Sequence, residues 1–149
     1  MQKVFIAGGT GMLGAATARA LAARGIEVVV SSRKASDPVG DQLTAESDLI
    51  RVAQVDLLDG AAVTALFEAE KFDGMAFVAH THQYALTRDK NNEIYPLTLN
   101  CFEGARKAGI KRAIFGGSVA VYGGTAPPFT EDHQFPPVVE AGNPAEEAL

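Results

Sequence analysis

Four glycines fall within the eight residues Ala7-Gly8-Gly9-Thr10-Gly11-Met12-Leu13-Gly14, directly after the apolar run Val4-Phe5-Ile6. Glycine loses more conformational freedom on folding than any other residue, so such a cluster marks backbone that turns sharply or admits something closer than a Cβ allows. Gly8, Gly11 and Gly14 are spaced G-x-x-G-x-x-G. Gly8 suits a tight turn, Gly11 the approach of a pyrophosphate to the main chain, and Gly14 close contact between strand and helix. The first interval differs from the G-x-G-x-x-G fingerprint. Lying between a strand and a helix without a capping side chain, the segment predicts a dinucleotide held by main-chain amides and the helix dipole. Its contacts would be Gly8, Thr10, Gly11, Met12 and Leu13.

The end of the second strand should choose the nucleotide. An NAD site wants a carboxylate there for the ribose hydroxyls, whereas this stretch reads Ser31-Ser32-Arg33-Lys34. Arg33 can grip a 2′-phosphate bidentately and Ser32 can donate to it, so NADP is the expected cofactor and NAD the alternative.

These groups need a frame. Val4 to Ala7, Val28 to Val30, Ile50 to Val55, Met75 to Val78 and Ala113 to Phe115 are short β-prone runs, mostly continuous in hydrophobicity, as in strands covered on both faces. Leu13 to Arg24 is an Ala-rich helical stretch ending at Gly25. Asp59 can cap a helix that places Val63, Leu66 and Phe67 on one face, and a third helix is expected from near Pro96 to Ala108. The alternation predicts an α/β fold, a doubly wound parallel sheet of Rossmann type. Gly123, Gly124 and five prolines between Pro127 and Pro144 predict a long loop after Ser118.

The 149 residues, 47% of them hydrophobic, fit one domain over residues 1–149. A net charge of −5, with no basic cluster larger than Arg33-Lys34 or Lys111-Arg112, argues against nucleic acid and anionic membrane as partners. The sequence has neither a signal-peptide pattern nor an apolar run long enough to span a bilayer, and its single Cys101 allows no internal disulfide, so a cytoplasmic setting is expected. Cys101, near Leu97, Leu99 and Phe102, reads as a buried structural thiol. His80 and His82 could face one side of an extended segment, but they lack a convincing third ligand, and no metal is expected.

Together, Gly8 to Gly14, Val55-Asp56-Leu57-Leu58-Asp59, Lys71 to His80, Gly104 to Gly123 and Pro128 to Pro137 resemble the extended short-chain dehydrogenase/reductase family of NAD(P)-dependent epimerases, dehydratases and reductases. The resemblance implies that Asp56 bonds the adenine amino group, that Leu57 packs on its ring, and that Val78, Ala79 and His80 line the cofactor's ribose side. It makes Ser118 the catalytic serine at the end of the fifth strand, where a hydroxyl can steady charge developing on a substrate oxygen. Tyr122 would shape a loop, and Glu131 and Asp132 would be a loop signature.

The family's tyrosine, with a lysine four residues later, has no match: Tyr84, Tyr95 and Tyr122 are followed at that distance by Arg88, Leu99 and Ala126. The tail from Glu140 to Leu149 resembles the run up to that tyrosine joined to the end of its helix. A segment missing between Pro144 and Ala145, and most of a C-terminal substrate domain missing beyond, are therefore expected. The resemblance implies hydride transfer at a carbon of a sugar nucleotide, ketone or aldehyde, with a dinucleotide and a small molecule as partners and a homodimer through the third helix. The alternative is a non-catalytic NAD(P)-binding sensor module.

Overall fold

In β1, Lys3–Ala7, alternate side chains enter two different cores. Phe5 and Ala7 point into one, and Val4 and Ile6 into the other. A strand covered on both faces needs apolar residues at consecutive positions, which is why the run reads as continuous. In this computed structural model residues 2–80, 93–117 and 130–132 are described. His82, Tyr84, Arg88, Ser118, Tyr122 and the Pro144 to Ala145 junction, all singled out above, lie outside them.

The other strands are β2 (Glu27–Ser32), β3 (Ile50–Gln54), β4 (Gly74–Phe77) and β5 (Arg112–Phe115). All described pairings are parallel, in the order β3-β2-β1-β4-β5, with Val4 of β1 opposite Val28 of β2 and Gly74 of β4. The order reverses at β1, the switch point beyond whose carboxyl end such sheets bind ligands.

The helices are α1 (Met12–Ala22), α2 (Pro38–Glu46), α3 (Gly60–Glu70) and α4 (Ile94–Lys107). Ala15 and Ala18 of α1 and Leu43 of α2 join the core on one face, while Val63 and Phe67 of α3 and Leu97, Cys101 and Ala105 of α4 join the other. Asp59 caps α3 as expected, accepting from the amides of Ala61 at 3.0 Å and Ala62 at 2.9 Å. The sequence patterns above did not include α2. It buries only Gly40 and Leu43, too few apolar positions to show a helical period, and it forms because Asp37 caps it and Pro38 presets its first turn.

Aromatic packing anchors the α3 and α4 side. Phe67 meets Phe5 edge to face at 4.8 Å between ring centroids and Phe72 at 5.5 Å. Phe67→Ala removes the shared ring of both pairs, and urea denaturation is expected to show a loss of about 3–5 kcal/mol.

Candidate functional site

The turn between β1 and α1 has room for glycine alone at several positions. Gly8 has φ +80°, and a Cβ there would lie 2.5 Å from the Ala79 Cα beyond β4. A Cβ on Gly9 would lie 2.3 Å from the Val30 Cβ, and one on Gly14 would lie 2.2 Å from the Gly8 carbonyl oxygen. Gly11 differs: among the described residues, its chain neighbours aside, its Cβ would meet only the Gly8 oxygen within 4 Å, at 3.2 Å. Gly9, to which the spacing argument gave no role, is thus required by packing under β2.

Hydrogen bonds hold the turn from inside. The Gly8 amide donates to the Ser31 hydroxyl at 3.0 Å, and the Gly11 amide to the Gly8 carbonyl at 3.1 Å. Ser31, buried near the end of β2, was not among the expected site residues. α1 then begins at Gly11 with no side-chain cap and no acidic residue in its first turn. Its hydrogen-bond ladder starts with the Ala15 amide on the Gly11 carbonyl at 2.8 Å, leaving the amides of Met12, Leu13 and Gly14 without a helical acceptor. Met12 and Leu13 project outward, 92% and 57% exposed. An anion fits such a helix end: it offers amide donors and the positive end of a dipole, with no competing carboxylate in its first turn.

Thr10 turns toward the next element. Its side chain lies near Asp37, which accepts from the Ser32 hydroxyl at 3.0 Å and from the amides of Val39 at 3.1 Å and Gly40 at 3.3 Å. Partial burial pushes the Asp37 carboxyl up, but the bonds from Gly40, Ser32, Thr10 and Val39 outweigh it and hold the group below the ordinary aspartate value. Ser32 is buried, and its oxygen accepts from the Lys34 amide at 3.2 Å. Arg33 is exposed, and its guanidinium lies 3.9 Å from the Glu93 carboxylate at the start of α4.

Asp56, exposed after β3, accepts from the Leu58 amide at 3.0 Å through one carboxylate oxygen. Leu57 is buried in the core and Leu58 is exposed. Asn100 of α4 clamps this turn, donating to the carbonyls of Leu57 at 3.0 Å and Leu58 at 2.9 Å. No local motif marks Asn100; only the fold brings it to residues more than forty positions away. Beyond β4, Val78 and Ala79 are half-buried and His80 is exposed. The ends of β1, β2, β3 and β4 therefore carry all the expected cofactor residues. Ser118 follows Gly117, outside the described region.

Glu131 and Asp132 are exposed, as is Tyr95 on α4. Burial pushes the Cys101 thiol up to about 12, which disqualifies it as a nucleophile. Among the described residues no group of three or more His, Cys, Asp or Glu side chains could hold a metal ion, and no helix is long and apolar enough to cross a membrane.

A five-stranded parallel sheet with helices on both faces, reversing at β1 beside a glycine turn, is a Rossmann-type α/β fold. The chain belongs to the NAD dependent epimerase/dehydratase family, whose sequence profile matches residues 4–144. It is similar to the UDP-Glc/GlcNAc 4-epimerase from the human pathogen Campylobacter jejuni, with 26% identity and a TM-score of 0.80 over 99% of this chain and 46% of that one. UDP-glucose 4-epimerase from Bifidobacterium longum, solved in complex with NAD+ and UDP, shares the fold at 22% identity and a TM-score of 0.79, over 99% of this chain and 45% of that one. The chain thus spans about half the length of these solved structures. Over 69 residues it is 46% identical to polyketide synthase GfsB of Streptomyces halstedii, covering 42% of this chain and 1% of that protein.

Two measurements check the local geometry. Gly14→Ala drives a Cβ into the Gly8 carbonyl and should lower the unfolding free energy by about 1–3 kcal/mol, with Gly11→Ala costing less. The folded Asp37 carboxyl titrates below its unfolded value, so the stability it contributes is present above the unfolded value and lost as pH falls through the folded one. Thermal melts across that acid range should show a shallower decline in Asp37→Asn than in the unaltered chain.

Proposed function

We propose that this chain is the nucleotide-binding portion of an NAD(P)-dependent epimerase, dehydratase or reductase acting at a carbon of a sugar nucleotide, ketone or aldehyde. The observation that carries the reading is the start of α1: an uncapped helix end with no acid in its first turn, fronted by Gly11, whose Cβ would meet only the Gly8 oxygen among the described residues. In this reading the amides of Met12 and Leu13 hold a pyrophosphate that approaches past Gly11. Asp56, with one carboxylate oxygen engaged by Leu58, offers the other to an adenine amino group, and Leu57 and Asn100 keep that turn in place. Val78, Ala79 and His80 border a ribose. A bound nicotinamide supplies the hydride chemistry.

The residues of the chain bind and orient. Ser118 would hold the substrate oxygen and stabilise charge as it develops there. Solved relatives bound to NAD+ support a nicotinamide dinucleotide, while Arg33, exposed beyond β2, supports the 2′-phosphate of NADP. A UDP-sugar epimerase among the relatives supports the sugar-nucleotide class. The same reading includes a homodimer through α4, on which Tyr95 and Leu99 are exposed, and a cytoplasmic setting. A second reading, a cofactor-sensing module without turnover, draws on the absence of a lysine four residues after Tyr84, Tyr95 or Tyr122.

Calorimetry with NAD(H) and NADP(H), followed by turnover assays on the whole polypeptide with UDP-sugars and a panel of carbonyl compounds, separates these readings. Ser118→Ala is expected to lower kcat by about 10²–10³-fold with cofactor affinity unchanged, by analogy with loss of one donor to a developing oxyanion. Cofactor binding without turnover would favour the sensor. A folded chain that binds neither nucleotide would end both readings.

A further inference from the structure

Met12 is the first residue of α1 and the most exposed large apolar side chain among the described residues, at 92%. The other methionines of the 149 residues are Met1 and Met75, and Met75 is buried in β4 at 2%. A side chain at the start of a helix leans toward the helix N-terminus, the end at which the first-turn amides are also directed. Met12 therefore holds its thioether beside the amides of Met12, Leu13 and Gly14, which have no helical acceptor. Peroxides oxidise thioethers according to access, and the buried Cys101, with its ionisation suppressed, offers little competition.

We propose that Met12 is a redox modification site, whose oxidation to the sulfoxide by hydrogen peroxide closes the start of α1 to a dinucleotide's pyrophosphate. The inference rests on the reading of the β1–α1 turn as a dinucleotide site. A sulfur lone pair attacks one peroxide oxygen, the O–O bond breaks and an S–O bond forms. The sulfur loses two electrons, and the second oxygen leaves as water after taking up the proton of the first. The product carries its oxygen on the atom after Cγ, where glutamine carries its amide oxygen, so an apolar arm becomes a hydrogen-bond acceptor. That oxygen is the negative end of a dipole, and α1 has neither a capping side chain nor an acidic residue in its first turn to compete for the amides. A pyrophosphate then meets occupied donors and a like partial charge. Leu13, 57% exposed beside Met12, has no sulfur to oxidise, so the response belongs to one position. The coupling is reciprocal: a bound dinucleotide covers the thioether and slows its oxidation.

The test treats the whole polypeptide with hydrogen peroxide and locates the added oxygen by mass spectrometry of tryptic peptides, which separate Met12 (Val4 to Arg19) from Met1 (Met1 to Lys3) and Met75 (Phe72 to Arg88). Met12 is expected to oxidise at least about tenfold faster than Met75, and more slowly when the dinucleotide is present. Calorimetry uses NAD+ or NADP+, whichever the untreated chain binds more tightly. Affinity should fall by about tenfold on oxidation and return after treatment with the methionine sulfoxide reductases for both epimers. Met12→Leu has no thioether there, so its affinity before and after peroxide should agree, which separates Met12 from oxidation elsewhere. Met12→Gln, with an acceptor at the position of the sulfoxide oxygen, should bind more weakly than Met12→Leu without any peroxide. Circular dichroism confirms folding, and if a variant fails to fold, the unaltered chain before and after peroxide still decides. Unchanged affinity with Met12 oxidised overturns the inference and leaves the dinucleotide site standing. So does an equal loss in Met12→Leu, equal binding by Met12→Gln and Met12→Leu, no return on reduction, or oxidation of Met12 that is no faster than that of Met75 or indifferent to the dinucleotide. Binding of neither nucleotide by the untreated chain overturns the dinucleotide reading, and this inference with it.

Discussion

The contact on which the rest depends is the one between a carbonyl and a missing side chain. α1 lies so close to β1 that a methyl group on Gly14 would fall 2.2 Å from the Gly8 oxygen. Glycines at the other contacts let the turn settle between β2 and the end of β4. Because the Gly8 amide is satisfied inwardly by Ser31 and the Gly11 amide by the Gly8 carbonyl, the donors that remain are those of the first turn of α1. The same closeness brings Thr10 within reach of Asp37 and links the turn to α2.

The helices do not all begin alike. α2 and α3 each begin with an aspartate whose carboxylate accepts two amides of the first turn. α4 has no capping bond, but it begins at the carboxylate-bearing Glu93. α1 has neither cap nor acid. A helix end in that condition beside a topological switch point is the feature on which the proposed dinucleotide site rests.

Much of the frame was legible because its signals are local. Five mostly apolar runs became five strands, displaced by at most two residues at either end; β1 and β2 are covered on both faces as expected, whereas β5 is exposed along its length. The helix after Asp59 was visible in its cap and its face, whereas α2 was not, having one large buried side chain and a start signal that needs no hydrophobic period. The site divides in the same way. The spacing of Gly8, Gly11 and Gly14 could be read directly. Three parts could not: the wedging of Gly9 under Val30, the reach of Asn100 to the Leu57 turn, and the engagement of Ser32 by Asp37. The first is a meeting of the turn's backbone with a β2 side chain, the second a side chain that reaches backbone once α4 has docked, and the third a contact between two side chains at the head of α2. Asp37 was hidden twice over, lying five residues past the end of β2 at the head of a helix that itself left no pattern.

The solitary thiol has a use of a different kind. Cys101 is sealed between α4 and the sheet, fully buried and with its ionisation suppressed, so an alkylating reagent can modify it only when that layer parts. With no other sulfhydryl in the 149 residues to compete, the labelling rate becomes a clock for internal breathing, already installed and needing no engineered probe.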